Sequence, residues 1–220
     1  MGNHDYESNS ENNWEDGWEA TSWNEFNWEQ YLRSEEDQVA KYQTLYNKLT
    51  RSANRLDEVA LFMGWQQNPA VQAEGSDPLD SQEEEQPYTF HKHPLFIANK
   101  ALHGWLTKNW TQHAALCSEQ LSTAKALALQ SSFGESDYYG LLAVTALDMD
   151  DFALAIAYFK RGMVSINQSL SLIAEFESTA VEPLPQFARQ ARIRLFDIRE
   201  IWLRVSSDCR ATIERGSEED

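Results

Sequence analysis

The sequence predicts an all-α protein in which an N-terminal helical hairpin is tethered to a C-terminal bundle or stack of about five helices. Apolar residues recur at three- and four-residue spacing through most of the chain, which is the period of an amphipathic helix. No segment alternates apolar and polar residues over the length of a strand, and four of the six prolines fall within residues 66–94. These observations favour helices divided by one long connection.

The charge of the chain is strongly negative and unevenly spread. The 220 residues carry a formal charge of -17, and residues 1–92 alone hold 19 acidic and six basic residues. Such a field repels nucleic acid and anionic lipid, so we expect neither as a partner. No run approaches the ~18 apolar residues of a membrane span, and no secretory signal is visible. Two cysteines, Cys117 and Cys209, do not form a disulfide scaffold, so we expect a cytoplasmic protein.

The N-terminal part divides into an arm and a hairpin. Residues 1–21 are acidic and polar, which predicts a disordered arm because little apolar surface can be buried. Ser22 and Glu25 form a capping box that marks a helix start, and we expect a helical hairpin over residues 22–65. Gly64 stands where a left-handed C-terminal cap belongs.

Residues 66–94 predict a flexible linker. They combine prolines and glutamines with a run of three glutamates, and a connection of this length is unusual inside a compact domain. We therefore expect the hairpin to be tethered to the rest of the chain, and the sequence leaves both arrangements open, a hairpin apart from the core and a hairpin packed on it.

The remaining residues, 95–220, predict a helical domain. The expected helices are 95–107, 110–130, 136–147, 152–175 and 186–215. The fourth has the clearest apolar periodicity in the chain. The acidic run before it, Asp148 to Asp151, is expected to cap its N-terminus, where the helix dipole favours negative charge.

Residues 138–162 resemble a tetratricopeptide unit, a helix-turn-helix of about 34 residues. The matching positions are Tyr139, Leu142, Ala143, Phe152, Ala155, Phe159 and Gly162. The resemblance implies hairpins that bind peptides in a concave groove, and so favours a binding role. A plain helical bundle is the alternative that the same helices allow.

Sequence motifs for catalysis or metal binding are absent. The chain has no Glu-x-x-His, nucleophile elbow, phosphate loop, dinucleotide-binding glycine motif or Cys-x-x-Cys. His113 and Cys117 lie one helical turn apart, but Cys117 falls on an apolar stripe, where a thiol is inert. We expect no catalytic residue, no metal site and no cofactor.

Two features point to a partner-binding surface. The first is a tryptophan cluster, of which Trp14, Trp18 and Trp23 are the candidate binding residues. An acidic segment that does not fold alone has no packing reason to carry large aromatics, which are the usual anchors of interfaces. Local packing of these rings is the alternative.

The second feature is the last predicted helix, which carries seven arginines and no lysine. Arg192, Arg199 and Arg210 fall on one side of it, away from the apolar stripe, and arginine prefers bidentate pairing with carboxylates. A solvated face is the alternative. Together these features predict a non-catalytic interaction or adaptor protein that binds another protein or a second copy of itself. A bundle that binds a small ligand or a metal, or an enzyme without a recognisable motif, is the second interpretation.

Overall fold

The structure, a computed structural model, describes residues 23–65 and 90–218. Within these two ranges the regular secondary structure is entirely helical, which confirms the all-α class. The elements are α1 (Glu25–Leu49), α2 (Arg55–Met63), a 3-10 turn (Phe90–Lys92), α3 (Pro94–Leu116), α4 (Thr123–Asp148), α5 (Phe152–Glu177) and α6 (Leu184–Glu218). The predicted arm and nearly all of the predicted linker lie outside the described residues.

The helices α3, α4, α5 and α6 form a closed bundle. Each packs against the next along the chain, and α6 returns to pack against α3. The bundle encloses large buried side chains from every helix, among them Trp110, Phe133, Phe159 and Trp202. The C-terminal part is therefore a bundle, with four helices where the sequence predicts about five.

The hairpin of α1 and α2 is part of the same core as the bundle, which is one of the two arrangements that the sequence left open. Tyr42, Tyr46 and Val59 are almost completely buried and belong to the hydrophobic cluster that also contains the bundle residues. The Gln43 amide donates to the Ala101 carbonyl of α3 at 3.0 Å. The sequence did not decide between the two arrangements, because linker composition shows only that a connection is long and polar; it does not show whether the segments on either side dock.

Two helices occupy the part of the chain for which the sequence predicts three. The segments 95–107, 110–130 and 136–147 are replaced by α3 and α4, and the break lies at residues 117–122. Lys108 and Asn109 lie within α3, because neither lysine nor asparagine has the large helix penalty of proline. The exposed Gly134 is likewise tolerated within α4. At the true break the Cys117 carbonyl accepts from the Gln120 and Leu121 amides, which closes a turn. The predicted helices 152–175 and 186–215 are confirmed within a few residues.

The helix ends show how local chemistry sets the boundaries. Asp151 caps α5, because its carboxylate accepts from the Leu154 amide at 2.9 Å, as the acidic run predicted. The N-cap of α1 is Asn24, whose side chain accepts from the Asn27 amide at 3.0 Å; the predicted cap, Ser22, lies outside the described residues. Asp150 takes a positive φ of 56° in the turn before α5.

Gly64 ends α2 in the left-handed conformation that the sequence predicted, with φ of 82°. Its amide bonds to carbonyls of the last turn, and Trp65 then folds back, with its ring stacked on Tyr42 at 5.7 Å between centroids. The cap therefore fixes the position of an aromatic ring that covers the hairpin.

Replacing Gly64 with Ala should lower the free energy of unfolding by about 1–2 kcal/mol, because a Cβ disfavours the left-handed conformation. The matched control is Gly104→Ala in α3. Its added Cβ would meet only the Gln43 Nε2 atom, at 3.9 Å, so this change should stabilise the helix by about 0.5–1 kcal/mol. Urea denaturation measures the change in the free energy of unfolding for both variants. A change of the same sign in both would contradict the assignment of Gly64 as the cap of α2.

Candidate functional site

The outer face of α6 carries the three arginines predicted to bind a partner. At about 100° per residue, Arg192, Arg199 and Arg210 lie on one flank of the helix, beside Phe196 and Leu203. Phe196 is 48% exposed and Leu203 is 44% exposed. We call these five residues the α6 stripe, a row in which basic and apolar side chains alternate.

The three arginines have different surroundings. Arg192 is partly buried, and its Nη2 atom lies 2.6 Å from the Glu177 carboxylate at the end of α5. Arg210 is exposed, and its Nη1 atom donates to the Ser206 carbonyl at 3.2 Å. Arg199 is half-buried, and the guanidinium groups of Arg199 and Arg210 have no carboxylate partner among the described residues. Two of the three positive charges on the stripe are therefore available to a partner.

Of the three tryptophans predicted to bind a partner, Trp23 alone lies within the described residues. Trp14 and Trp18 lie outside the described residues. Trp23, just before α1, is half-buried, with its ring edge-to-face against Trp28 and Tyr31 at 4.9 and 5.1 Å. The ring of Tyr31 also stacks on His91, at 5.5 Å. Trp23 thus packs in an aromatic cluster that joins the start of α1 to the 3-10 turn.

The opposite flank of α6 binds the hairpin. Asp197 is 4% exposed and accepts from the Tyr46 hydroxyl and from the Arg55 guanidinium, whose Nε lies 2.6 Å from it. On the same flank, exposed Arg204 pairs with Asp57 of α2 at 2.5 Å. The flank that carries the α6 stripe is therefore separate from the one that the hairpin covers.

Arg194 is a buried arginine that the sequence analysis did not single out. Its guanidinium lies over the Trp105 ring at 3.5 Å, and its Nη2 atom donates to the Asn47 side chain at 2.8 Å. Burial lowers its pKa from the ordinary arginine value. The signal was present in the sequence, since Arg194 falls between Ala191 and Ile198 on the apolar stripe.

Burial and charge also act on Tyr46. Desolvation, with the adjacent Asp197 carboxylate, raises the pKa of its hydroxyl above the ordinary range. Tyr46 therefore stays protonated and remains a donor to Asp197. The Tyr46, Arg55 and Asp197 side chains form a connection between hairpin and bundle.

A serine and a histidine are hydrogen-bonded to each other in the core. The His103 Nε2 and Ser136 Oγ atoms are 2.9 Å apart, and the His103 Nδ1 atom lies 3.1 Å from the Asn99 carbonyl, nearer than the Asp137 carboxylate at 3.7 Å. Ser136 is completely buried, its hydroxyl also bonds the Phe133 carbonyl, and His103 is 1% exposed. Burial lowers the pKa of His103, which keeps the imidazole neutral. The pair serves to join α3 to α4.

The predicted inert environment of Cys117 is confirmed. Cys117 is 2% exposed, and its Sγ atom lies 3.8 Å from the Glu182 carbonyl. Burial raises the pKa of its thiol, which disfavours the reactive thiolate. The Nδ1 atom of His113 faces the Asn109 carbonyl at 2.7 Å, so this nitrogen is already engaged.

Within residues 23–65 and 90–218, no group of three or more His, Cys, Asp or Glu residues is placed to hold a metal ion. None of the helices in these ranges has the length and apolar character needed to cross a membrane. Comparison with protein-family models, with curated proteins and with solved structures found no match. The tetratricopeptide resemblance of residues 138–162 stays a prediction.

Proposed function

We propose that the chain is a non-catalytic protein-interaction protein whose binding surface is the α6 stripe. The ligand of this surface is an acidic segment that carries tryptophans. The chain's own arm, residues 1–21, has this chemistry, so a second copy of the chain or another protein with a similar segment is the expected partner. Two free, buried cysteines support a reducing, cytoplasmic setting for this interaction.

One observation carries the proposal: arginines without carboxylate partners alternate with exposed apolar side chains on one helix face. Among the arginines of α6, Arg192 pairs with Glu177 and Arg204 pairs with Asp57. Arg199 and Arg210 have no such partner among the described residues, while Phe196 and Leu203 next to them remain about half exposed. Large exposed apolar groups beside unpaired arginines have the chemistry of an interface.

Charge complementarity supports an acidic ligand. The chain as a whole carries a formal charge of -17, so a second copy is repelled over most of its surface. A local row of arginines gives an acidic segment a favourable approach and a bidentate partner for its carboxylates. The tryptophans of such a segment would cover Phe196 and Leu203.

Reversing both unpaired charges, Arg199→Glu with Arg210→Glu, should weaken binding of the arm about tenfold at low salt, because like charges then face the acidic segment. The measurement is fluorescence anisotropy with a labelled peptide of residues 1–21. The receptor is the full chain with Trp14→Ala and Trp18→Ala, which removes the arm's large aromatic anchors and so reduces competition from it.

The matched control reverses two exposed lysines on other helices, Lys48→Glu and Lys108→Glu. It changes the net charge by the same amount and should weaken binding much less. Added salt should reduce the difference, since exposed ion pairs are screened over ~8–10 Å. Equal loss of affinity in both double variants would reject the α6 stripe as the binding surface.

A further inference from the structure

A cavity lies where the helical hairpin meets the bundle. Its volume is about 260 Å³, and residues of α1, α2, α3 and α6 form its wall. It is distinct from the cavity that Phe96 of α3 and Tyr138 of α4 line. A dry apolar cavity of ~150 Å³ is enough to bind benzene, so this one has room for a small substituted ring. Most of the wall is apolar, and its apolar residues include Leu56, Ala60, Trp65, Leu95, Ile201 and Val205.

The wall also contains a buried hydroxyl group that no described residue binds. Tyr42 lines the cavity and is 2% exposed, yet its hydroxyl has no hydrogen-bond partner among the described residues. Tyr46, one turn further along α1, differs, because its hydroxyl donates to Asp197. Burial raises the pKa of the Tyr42 hydroxyl, so this group keeps its proton and is a donor. Buried polar groups without a partner are uncommon, and this one is available to an acceptor atom of a ligand.

The ionisable groups in the wall leave no charge for a ligand to neutralise. Arg204 and Asp57, which have opposite charges, pair with each other at 2.5 Å. Burial lowers the pKa of His93, so its imidazole is neutral at pH 7, and its Nδ1 atom already accepts from the Leu95 amide at 3.2 Å. The wall therefore favours an uncharged ligand over both a cation and an anion.

We propose that this cavity binds a small uncharged molecule that has an apolar or aromatic body and one hydrogen-bond acceptor, such as the carbonyl of a ketone. The body leaves water and lies against Leu56, Leu95 and Val205, and the carbonyl oxygen accepts from the Tyr42 hydroxyl. A carboxylate or an ammonium of the same shape is rejected, because it would lose its hydration without gaining a counter-charge. The site is independent of the α6 stripe, and neither proposal depends on the other.

The position of the cavity gives the ligand an effect on stability. Leu56 and Ala60 belong to the hairpin, whereas Leu95 and Val205 belong to the bundle. A ligand that contacts both parts binds the folded chain in preference to the unfolded one. We therefore expect it to raise the thermal midpoint in proportion to the occupancy of the cavity.

Two variants separate binding from folding. Tyr42→Phe keeps the ring that stacks on Trp65 and removes a hydroxyl that has no partner in the fold, so the thermal midpoint should equal or exceed that of the parent chain. Ala60→Leu places a larger side chain in the cavity from a half-buried position of α2, and leucine is also a good helix former.

The test is a titration of the full-length protein with acetophenone, followed by calorimetry and by NMR of the Ile201 and Val205 methyl groups. Benzoate and benzylammonium are the charged probes of similar shape. We expect saturable binding of acetophenone at least tenfold tighter than that of either ion. Tyr42→Phe should weaken binding about threefold to tenfold, as expected for one hydrogen bond, and Ala60→Leu should abolish it.

The matched controls make the same substitutions at exposed positions. Tyr138→Phe in α4 and Ala157→Leu in α5 should leave the binding of acetophenone unchanged. The proposal is overturned by no saturable binding of acetophenone up to ~10 mM, or by equally tight binding of either ion. Unchanged binding in folded Tyr42→Phe or folded Ala60→Leu, or an equal loss in the control variants, would overturn it too.

Discussion

Replacing Asp197 with Ala should lower the free energy of unfolding by about 3–5 kcal/mol, one of the two largest effects expected in this protein. Asp197 is almost completely buried and accepts from two groups of the hairpin, the Tyr46 hydroxyl and the Arg55 guanidinium. Removing the carboxylate leaves the Arg55 charge, whose side chain is 20% exposed, without its partner. The hairpin should then separate from the bundle at lower denaturant concentration.

Urea denaturation followed by circular dichroism measures this loss. The control is Glu175→Ala, which breaks a pair with Lys125 whose N–O distance is 2.5 Å but whose two side chains are half exposed. Exposed pairs contribute about 0–1 kcal/mol, so the control should have little effect. Similar losses in the two variants would show that the hairpin does not depend on Asp197.

Replacing Trp202 with Ala should also cost about 3–5 kcal/mol, because it leaves a large cavity in the centre of the bundle. Trp202 is completely buried, and its ring lies so close to Gly140 and Gly162 that a Cβ on either glycine would come within 3.0 Å of it. Its indole nitrogen donates to Asn99 of α3 at 3.0 Å. One side chain of α6 thus contacts α3, α4 and α5.

Thermal and urea denaturation measure the effect, with Phe196→Ala on the same helix as the control. Phe196 is 48% exposed and belongs to the α6 stripe, so its removal should change the stability by less than about 1 kcal/mol. Equal losses for the buried and the exposed ring would contradict the packing described for α6.

The sequence predicted the helices whose periodicity is strong and whose ends carry clear signals. The apolar stripe and the Asp151 cap located α5, and Gly64 marked the end of α2, because each of these signals is local. The break at residues 117–122 was missed, since it contains neither proline nor glycine. The docking of the hairpin could not be decided from the sequence, because it depends on contacts between residues about 150 positions apart, such as Tyr46 and Asp197.

For the candidate sites too, local spacing was predictable from the sequence and contacts between helices were not. Helical spacing placed Arg192, Arg199 and Arg210 on one flank of α6, but it could not show that Arg192 meets Glu177. The cavity that Phe96 of α3 and Tyr138 of α4 line could not be predicted, because it depends on the distance between two helices, which spacing along one helix does not contain.

The central claim is that the α6 stripe holds an acidic segment with tryptophans, for which the arm is the example. The most direct measurement replaces Phe196 with the photo-reactive p-benzoylphenylalanine in the full chain and identifies the cross-linked peptides by mass spectrometry. We expect cross-links from position 196 to residues 1–21, and none from the same probe at Leu127, which is 65% exposed on α4. Arm cross-links that form equally from both positions, or no arm cross-link from position 196, would contradict the claim.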